Sequence, residues 1–240
     1  SVSGGGSAPT DVTTPTPGAE VTSISSNQEA FVALRTDGLV SVWGNSGSGG
    51  AAAPADLLSP SPGAEAVSVA SARSAFAALK RDGSISVWGD ASQGGMDAPS
   101  DVTNPSANAE VISITATQYA FAALKADGSV SAWGNSFAGG ANVPTDVTNP
   151  SLGGVVIAIA STESAFAALK EDGTVTVWGD TIFGGSGVPS ELTTANSGVQ
   201  AVGIGSNTMA FAALTIKAPL SSSNNEDTTV AEQAAVAVGA

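Results

Sequence analysis

Ala120-Phe121-Ala122-Ala123-Leu124-Lys125-Ala126-Asp127-Gly128-Ser129-Val130-Ser131-Ala132-Trp133-Gly134-Asn135 is one copy of a unit that recurs every 45 residues. Phe31, Phe76, Phe121, Phe166 and Phe211 keep that step, as do Leu34, Leu79, Leu124, Leu169 and Leu214. Trp43, Trp88, Trp133 and Trp178 follow, with Asp-Gly pairs at Asp37, Asp82, Asp127 and Asp172. Gly-Gly pairs begin at Gly4, Gly49, Gly94, Gly139 and Gly184, and Pro9, Pro54, Pro99, Pro144 and Pro189 come five residues after each. No insertion or deletion breaks the register between Gly4 and Leu214. An Asp-Gly pair between two alternating runs signals a β-hairpin, because both central residues of a type I′ turn need positive φ. With Asp127 and Gly128 at the centre of such a turn, Lys125 opposes Val130, and Trp133 opposes Ala122 on the face of Leu124. A ring over a methyl group is sound packing between paired strands.

Upstream, Val111-Ile112-Ser113-Ile114-Thr115 places Ile112 and Ile114 on one face. Val67/Val69, Ile157/Ile159 and Val202/Ile204 are the equivalents. Period-2 patterning of β-branched residues predicts a strand. Downstream of Trp-Gly come a Gly-rich bend, a Pro and a short stretch such as Val143-Pro144-Thr145-Asp146-Val147. The Pro restricts any fourth strand there to an edge or a strand start. Sequential antiparallel strands at a period near 45 residues mark a propeller blade. The expected fold is therefore all-β, a β-propeller-like array of four full blades and a fifth split between the chain ends.

The split follows from register. Gly4-Gly5, Pro9, Asp11 and Glu20 align with the second half of a unit, and Val202, Ile204, Phe211 and Leu214 with the first half. After Leu214 the chain reads Thr215-Ile216-Lys217-Ala218-Pro219, without an Asp-Gly turn or a fifth Trp strand. Residues 1–217 are thus read as the repeat domain, and 218–240 as a polar linker with a short C-terminal helix. Thr229-Val230-Ala231-Glu232 fits a capping box for that helix, which would span Ala231 to Val238.

The Ala-Leu pair, the Asp-Gly turn, the Val and the Trp-Gly-Asp/Asn with its Gly-rich bend resemble the regulator-of-chromosome-condensation repeat, here in a short form. The resemblance covers the whole chain apart from the tail. It implies a propeller of four-stranded blades, usually about seven of them, used mostly for protein binding. This sequence departs from the pattern in several places. Ala30, Ala75, Ala120 and Ala165 stand where the family commonly has His, and the family's Gly-Gln-Leu-Gly bend is reduced to Gly-Gly. Nothing corresponds to an exchange-factor loop or a chromatin-binding basic tail. The resemblance supports the fold and supports neither guanine-nucleotide exchange nor chromatin binding.

Two repeated side-chain sets are candidate sites. Asp11, Asp56, Asp101, Asp146 and Glu191 share one position, two residues after each Pro. In a closed ring they would form a circle of acids able to hold a hard cation or a basic partner. Alternatively each acid holds backbone N–H groups of its own turn. Trp43, Trp88, Trp133 and Trp178 either stack on a ligand such as a sugar or pack between blades with the N–H bonded locally. Arg35, Lys80, Lys125 and Lys170 precede the turns and are read as solubilising residues paired with turn acids.

Composition narrows the function classes. The net charge of −14 arises from 21 acids against seven Lys and Arg, a surface that repels phosphate backbones and anionic membranes. Nucleic-acid binding is therefore not expected. There is no Cys or His, which removes thiolate sites, the commonest general base and the commonest transition-metal ligand. No apolar run reaches the roughly 18 residues of a membrane span, and no cofactor is expected. The chain starts at Ser1, which fits a processed, exported or organelle-imported protein as well as a fragment. Its acidic, thiol-free composition leans toward an extracellular or organelle-lumen setting. Catalysis needs dissimilar groups converging on one point, whereas nearly every polar residue here is repeated. The leading expectation is a non-enzymatic protein-interaction scaffold or accessory subunit of a larger assembly. The alternative is a multivalent carbohydrate-binding module, and a hydrolase is the remote one.

Overall fold

The structure, a computed structural model, describes residues 6–217 and 233–238. Among these residues fifteen strands form five three-stranded antiparallel sheets. Blade 1 holds β1 (Val21–Ser26), β2 (Ala30–Arg35) and β3 (Val40–Gly44), and blade 2 holds β4 (Ala66–Ser71), β5 (Ala75–Lys80) and β6 (Ile85–Gly89). Blade 3 holds β7 (Val111–Ala116), β8 (Ala120–Lys125) and β9 (Val130–Gly134), and blade 4 holds β10 (Val156–Ser161), β11 (Ala165–Lys170) and β12 (Val175–Gly179). Blade 5 holds β13 (Val199–Ser206), β14 (Phe211–Lys217) and β15 (Gln233–Val238). In every blade the middle strand pairs with both others. The first strands β1, β4, β7, β10 and β13 pack against one another in that order, as the inner strands of a propeller do.

The middle strand explains the composition of the unit. Ala120, Ala122 and Leu124 cover one face of β8, and Phe121 and Ala123 the other, and all are at least 96% buried. The first face packs with Val130 against Phe166, Ala168 and Trp178 of blade 4. The second packs with Trp133 against Ala75, Ala77, Leu79 and Ile85 of blade 2. A strand buried on both faces reads as a nearly continuous apolar run. Its methyl groups leave the depth that the rings of the next blade fill.

The hairpin register differs by one residue from the type I′ expectation. Leu124, not Lys125, opposes Val130, and Trp133 opposes Phe121 rather than Ala122. The reason lies in the loop. Gly128 N–H donates to Lys125 C=O at 2.9 Å, and Lys125 N–H to Ser129 C=O at 2.9 Å. Asp127 keeps a negative φ, accepts from Ser129 N–H at 2.9 Å, and leaves only Gly128 left-handed, at φ 79°. This is the longer turn that ends in one left-handed residue. The one-residue change sets ring against ring within each sheet. Phe121 and Trp133 stack with centroids 5.4 Å apart and planes 18° apart, and the pairs Phe31–Trp43, Phe76–Trp88 and Phe166–Trp178 repeat this at 5.2–5.3 Å.

No fourth strand forms after the Pro. One-turn helices occupy Thr10–Thr13, Ala55–Leu58, Ser100–Thr103 and Thr145–Thr148, and a 3₁₀ turn occupies Ser190–Leu192. Each of the last four lowers one side chain, Leu57, Val102, Val147 or Leu192, to complete burial between two blades. The acids of the four helical turns pair with cations of the blade that follows, Asp11 with Arg35 among them, so the N-terminal segment leads into blade 1 instead of completing blade 5.

Blade 5 takes its third strand from the far end of the chain. Gln233–Val238 pairs antiparallel with β14, Phe211 opposite Val238, where the sequence suggested a helix over Ala231 to Val238. The edge of β14 left by the missing Trp strand offers a full ladder of backbone partners. That outweighs the weak preference of a two-turn segment for helix. The capping-box residues Thr229 to Glu232 lie outside the described residues.

Adjacent blades are also tied by backbone hydrogen bonds. Ala66, Val111, Val156 and Ala201 N–H donate to the turn carbonyls of Gly38, Gly83, Gly128 and Gly173 of the preceding blade at 2.9–3.0 Å. A Cβ on Gly83, which sits at φ 78°, would lie 2.3 Å from Glu110 Cβ of the next blade. Gly83→Ala therefore combines an unfavourable φ with an overlap that no side-chain rotation relieves. It is expected to cost about 2 kcal/mol, measured by denaturant unfolding.

Candidate functional site

The repeated acids are engaged within the chain. Lys125 Nζ donates to Asp101 Oδ2 at 2.7 Å and Ser131 Oγ to the same oxygen at 2.6 Å. Lys170 and Thr176 treat Asp146 alike, Lys80 and Ser86 hold Asp56, and Arg35 and Ser41 hold Asp11. The cations sit 24 residues after their acids, on the middle strand of the following blade. Their side chains are only 7–14% exposed, whereas the acids are 35–48% exposed. The pair thus ties the helical turn to the blade, and the acid shields a cation set into the sheet. The acids' main partners are side chains of that blade, with a smaller contribution from the backbone N–H of each acid's own turn. Glu191 is exposed, and Thr215 stands where the other blades have a cation. Among the described residues no group of three acids is positioned to hold a metal ion.

The electrostatics follow from these contacts. Burial raises the Asp101 carboxyl, but the bonds from Lys125 and Ser131 and the Lys125 charge outweigh it and leave it below the usual carboxylate value. Asp146 and Asp56 show the same balance. At Asp11 the Ser41 hydroxyl is the main cause of the lowering, opposed by burial and aided by Arg35.

The indoles are buried too. Trp88, Trp133 and Trp178 are 3–6% exposed. Their Nε1 atoms donate to Gly49, Gly94 and Gly139 C=O of the preceding unit at 3.1–3.2 Å. Trp43 is half-buried, and Gly4, at the corresponding step before it, lies outside the described residues. Three of the four indoles present no open face to a ligand.

What the inner surface does expose is a set of apolar residues that the strand pattern misplaced. Each inner strand carries a bulge, between Val111 and Ser113 in β7 and at the same place in β1, β4, β10 and β13. The bulge turns Ile112 outward while Val111 stays buried. Ile112 is 56% exposed, Ile157 54%, Val202 49% and Val67 41%. Because the inner strands are neighbours, these side chains form a row across blades 2 to 5. Two adjacent large apolar residues, Val111-Ile112, break strict alternation and were the available sign of the bulge. Near one end of the inner strands, Ser26, Gln28, Ser71, Arg73, Gln118 and Thr162 line a polar cleft of 410 Å³. Arg73 donates to the Tyr119 hydroxyl at 3.0 Å there.

Two stability outcomes follow. Asp101→Asn should cost about 1 kcal/mol, the low end for a charge-assisted bond because the acid is half exposed, and should lower the melting temperature. Carboxyls with lowered native values stabilise the fold above their unfolded value of about 3.9. That stability is lost as pH falls through their lower native values. Thermal melts should hold steady down to about pH 4.5 and fall below it, less steeply in Asp101→Asn.

No family model matches the sequence, and no curated protein matches it. Solved structures do. Human WBSCR16 is 22% identical with a TM-score of 0.54, over 81% of this chain and 59% of that one. Yeast RCC1 (Prp20), solved bound to Kap60, is 17% identical with a TM-score of 0.51, over 83% and 56%. Prp20p from Saccharomyces cerevisiae, in a study of its binding to Gsp1p and histones, gives 17% and 0.51, over 83% and 58%. The chain thus spans under two thirds of the length of each protein. With the repeat and the five sheets, these matches show that the chain has the all-β propeller fold of the regulator-of-chromosome-condensation repeat type.

Proposed function

We propose that the chain is a non-enzymatic protein-interaction scaffold, engaging its partner through the inner strands. The observation that carries this reading is the row Val67, Ile112, Ile157 and Val202, each 41–56% exposed at the same bulge of successive blades. The bulge turns a large apolar side chain to solvent in four blades, where the corresponding residue of blade 1 is Thr22. An exposed apolar row beside polar groups is the surface that another protein's apolar side chains cover. The candidate charges, by contrast, are held within the chain at Asp11, Asp56, Asp101 and Asp146. The yeast structure bound to Kap60 gives a precedent for protein binding by a protein that contains this fold. The accessory-subunit role is part of the same proposal. Carbohydrate binding through the Trp set gains no support from Trp88, Trp133 and Trp178, whose faces and N–H groups are already used.

The double variant Ile112→Asp/Ile157→Asp tests the reading. Both residues are exposed, so the melting temperature should stay within a few degrees of the parent. Proteins that the parent retains from its native extract, identified by crosslinking and mass spectrometry, should be lost with the variant. Retention of the same partners by the double variant would refute this surface as the binding site.

A further inference from the structure

Every internal junction of the array mates the same two faces. The preceding blade offers Ala, Ala (Val32 in blade 1) and Leu from its middle strand, and the following blade offers the Phe and the residue paired with it. Blades 1 and 5 each keep one of these faces without a second blade seated on it among the described residues, although Ala33 on the blade 1 face is itself buried. Phe31 and Trp43 of blade 1 are half-buried, although Phe76, Phe121, Phe166 and Phe211 are 0–2% exposed. On blade 5 Leu214 is 42% exposed, whereas Leu34, Leu79, Leu124 and Leu169 are 3–7% exposed. Ala212 and Ala237, opposite each other on the same face, are exposed as well.

The backbone repeats the message. Gln28, Arg73, Gln118 and Glu163 N–H each donate to the carbonyl 45 residues onward, in the next blade, at 2.8–3.1 Å. Among the described residues this series leaves the Gln28 carbonyl without a donor of that kind at one end, and the Thr208 N–H without such an acceptor at the other. The two end faces, and the backbone groups that this series leaves over, are therefore complementary in shape and polarity. Among the described residues inter-blade packing runs in order from blade 1 to blade 5, with no comparable packing between β13 and β1.

We infer that a second copy of this chain docks head to tail, its Phe31/Trp43 face seated on the Ala212/Leu214 face of the first. The contact continues the junction that the chain already makes between its own blades. It is heterologous, so association proceeds with concentration and does not stop at a symmetric pair. It is separate from the row of bulge residues, and Ile112→Asp/Ile157→Asp leaves it intact.

Sedimentation velocity of the full 240-residue chain tests this, in roughly 0.5 M salt so that the net negative charge is screened. The average mass should rise with concentration in the micromolar range. Leu214→Arg, at an exposed position, should keep the parent's melting temperature and weaken association at least about ten-fold. Trp43→Ser removes the other face, with its fold checked by circular dichroism. Mixing the two variants should give a dimer and nothing larger, since only one competent face of each kind remains. A parent that stays monomeric up to roughly 200 µM, association unchanged by Leu214→Arg, or a mixture that stays monomeric would each overturn the inference.

Discussion

The structure depends on seating an aromatic pair of one blade on the small-residue face of the blade before it. Phe121 and Trp133 stack within their own sheet and fill the space over Ala75 and Ala77, and the Trp133 N–H closes the contact on the Gly94 carbonyl. Each large side chain needs a small apolar residue opposite, so the middle strand reads Ala-Phe-Ala-Ala-Leu, with Val32 for the second Ala in blade 1. A three-stranded sheet has too little apolar depth to stand alone. The stack therefore acts as the unit of stability, and any blade without a neighbour exposes part of its core.

Charge is arranged around the same constraint. The basic residue at the end of the middle strand, such as Lys125, is set into the sheet and is only 10% exposed at its side chain. A buried ammonium needs a carboxylate, and Asp101 from the preceding helical turn supplies it. The acid, the plug residue Val102 and the Pro that starts the turn are one device that fastens the connection to the blade. Repetition of a carboxylate around an array thus reflects repetition of a joint.

Blade 5 shows what happens when the unit is incomplete. Its middle strand retains Phe211 but lacks the Asp-Gly turn, the Trp and the cation. Val238 from the C-terminal strand takes the Trp position opposite Phe211 and is fully buried. The replacement restores the face turned toward blade 4, which the core requires, and leaves the opposite face of β14 exposed.

The repeat, its period, the position of every middle strand and turn, and the propeller class were legible in the amino-acid order, because they rest on local alternation and identical copies. Burial of the Trp set was one of two readings left open, since a ring at the end of a strand suits either a core or a ligand. Pairing and contact between blades decided the rest. The hairpin slipped by one residue because Asp127 binds Ser129 and leaves a single left-handed residue, a choice that the Asp-Gly pair alone does not dictate. Ile112 faces solvent because a bulge is defined by the partner strand. Gln233–Val238 became a strand because β14 had an open edge, and a short Ala- and Val-rich segment takes the structure of whatever hydrogen-bonds it. Sequence specifies what each segment favours alone, and only the assembled sheets determine which backbone groups and faces remain to be satisfied.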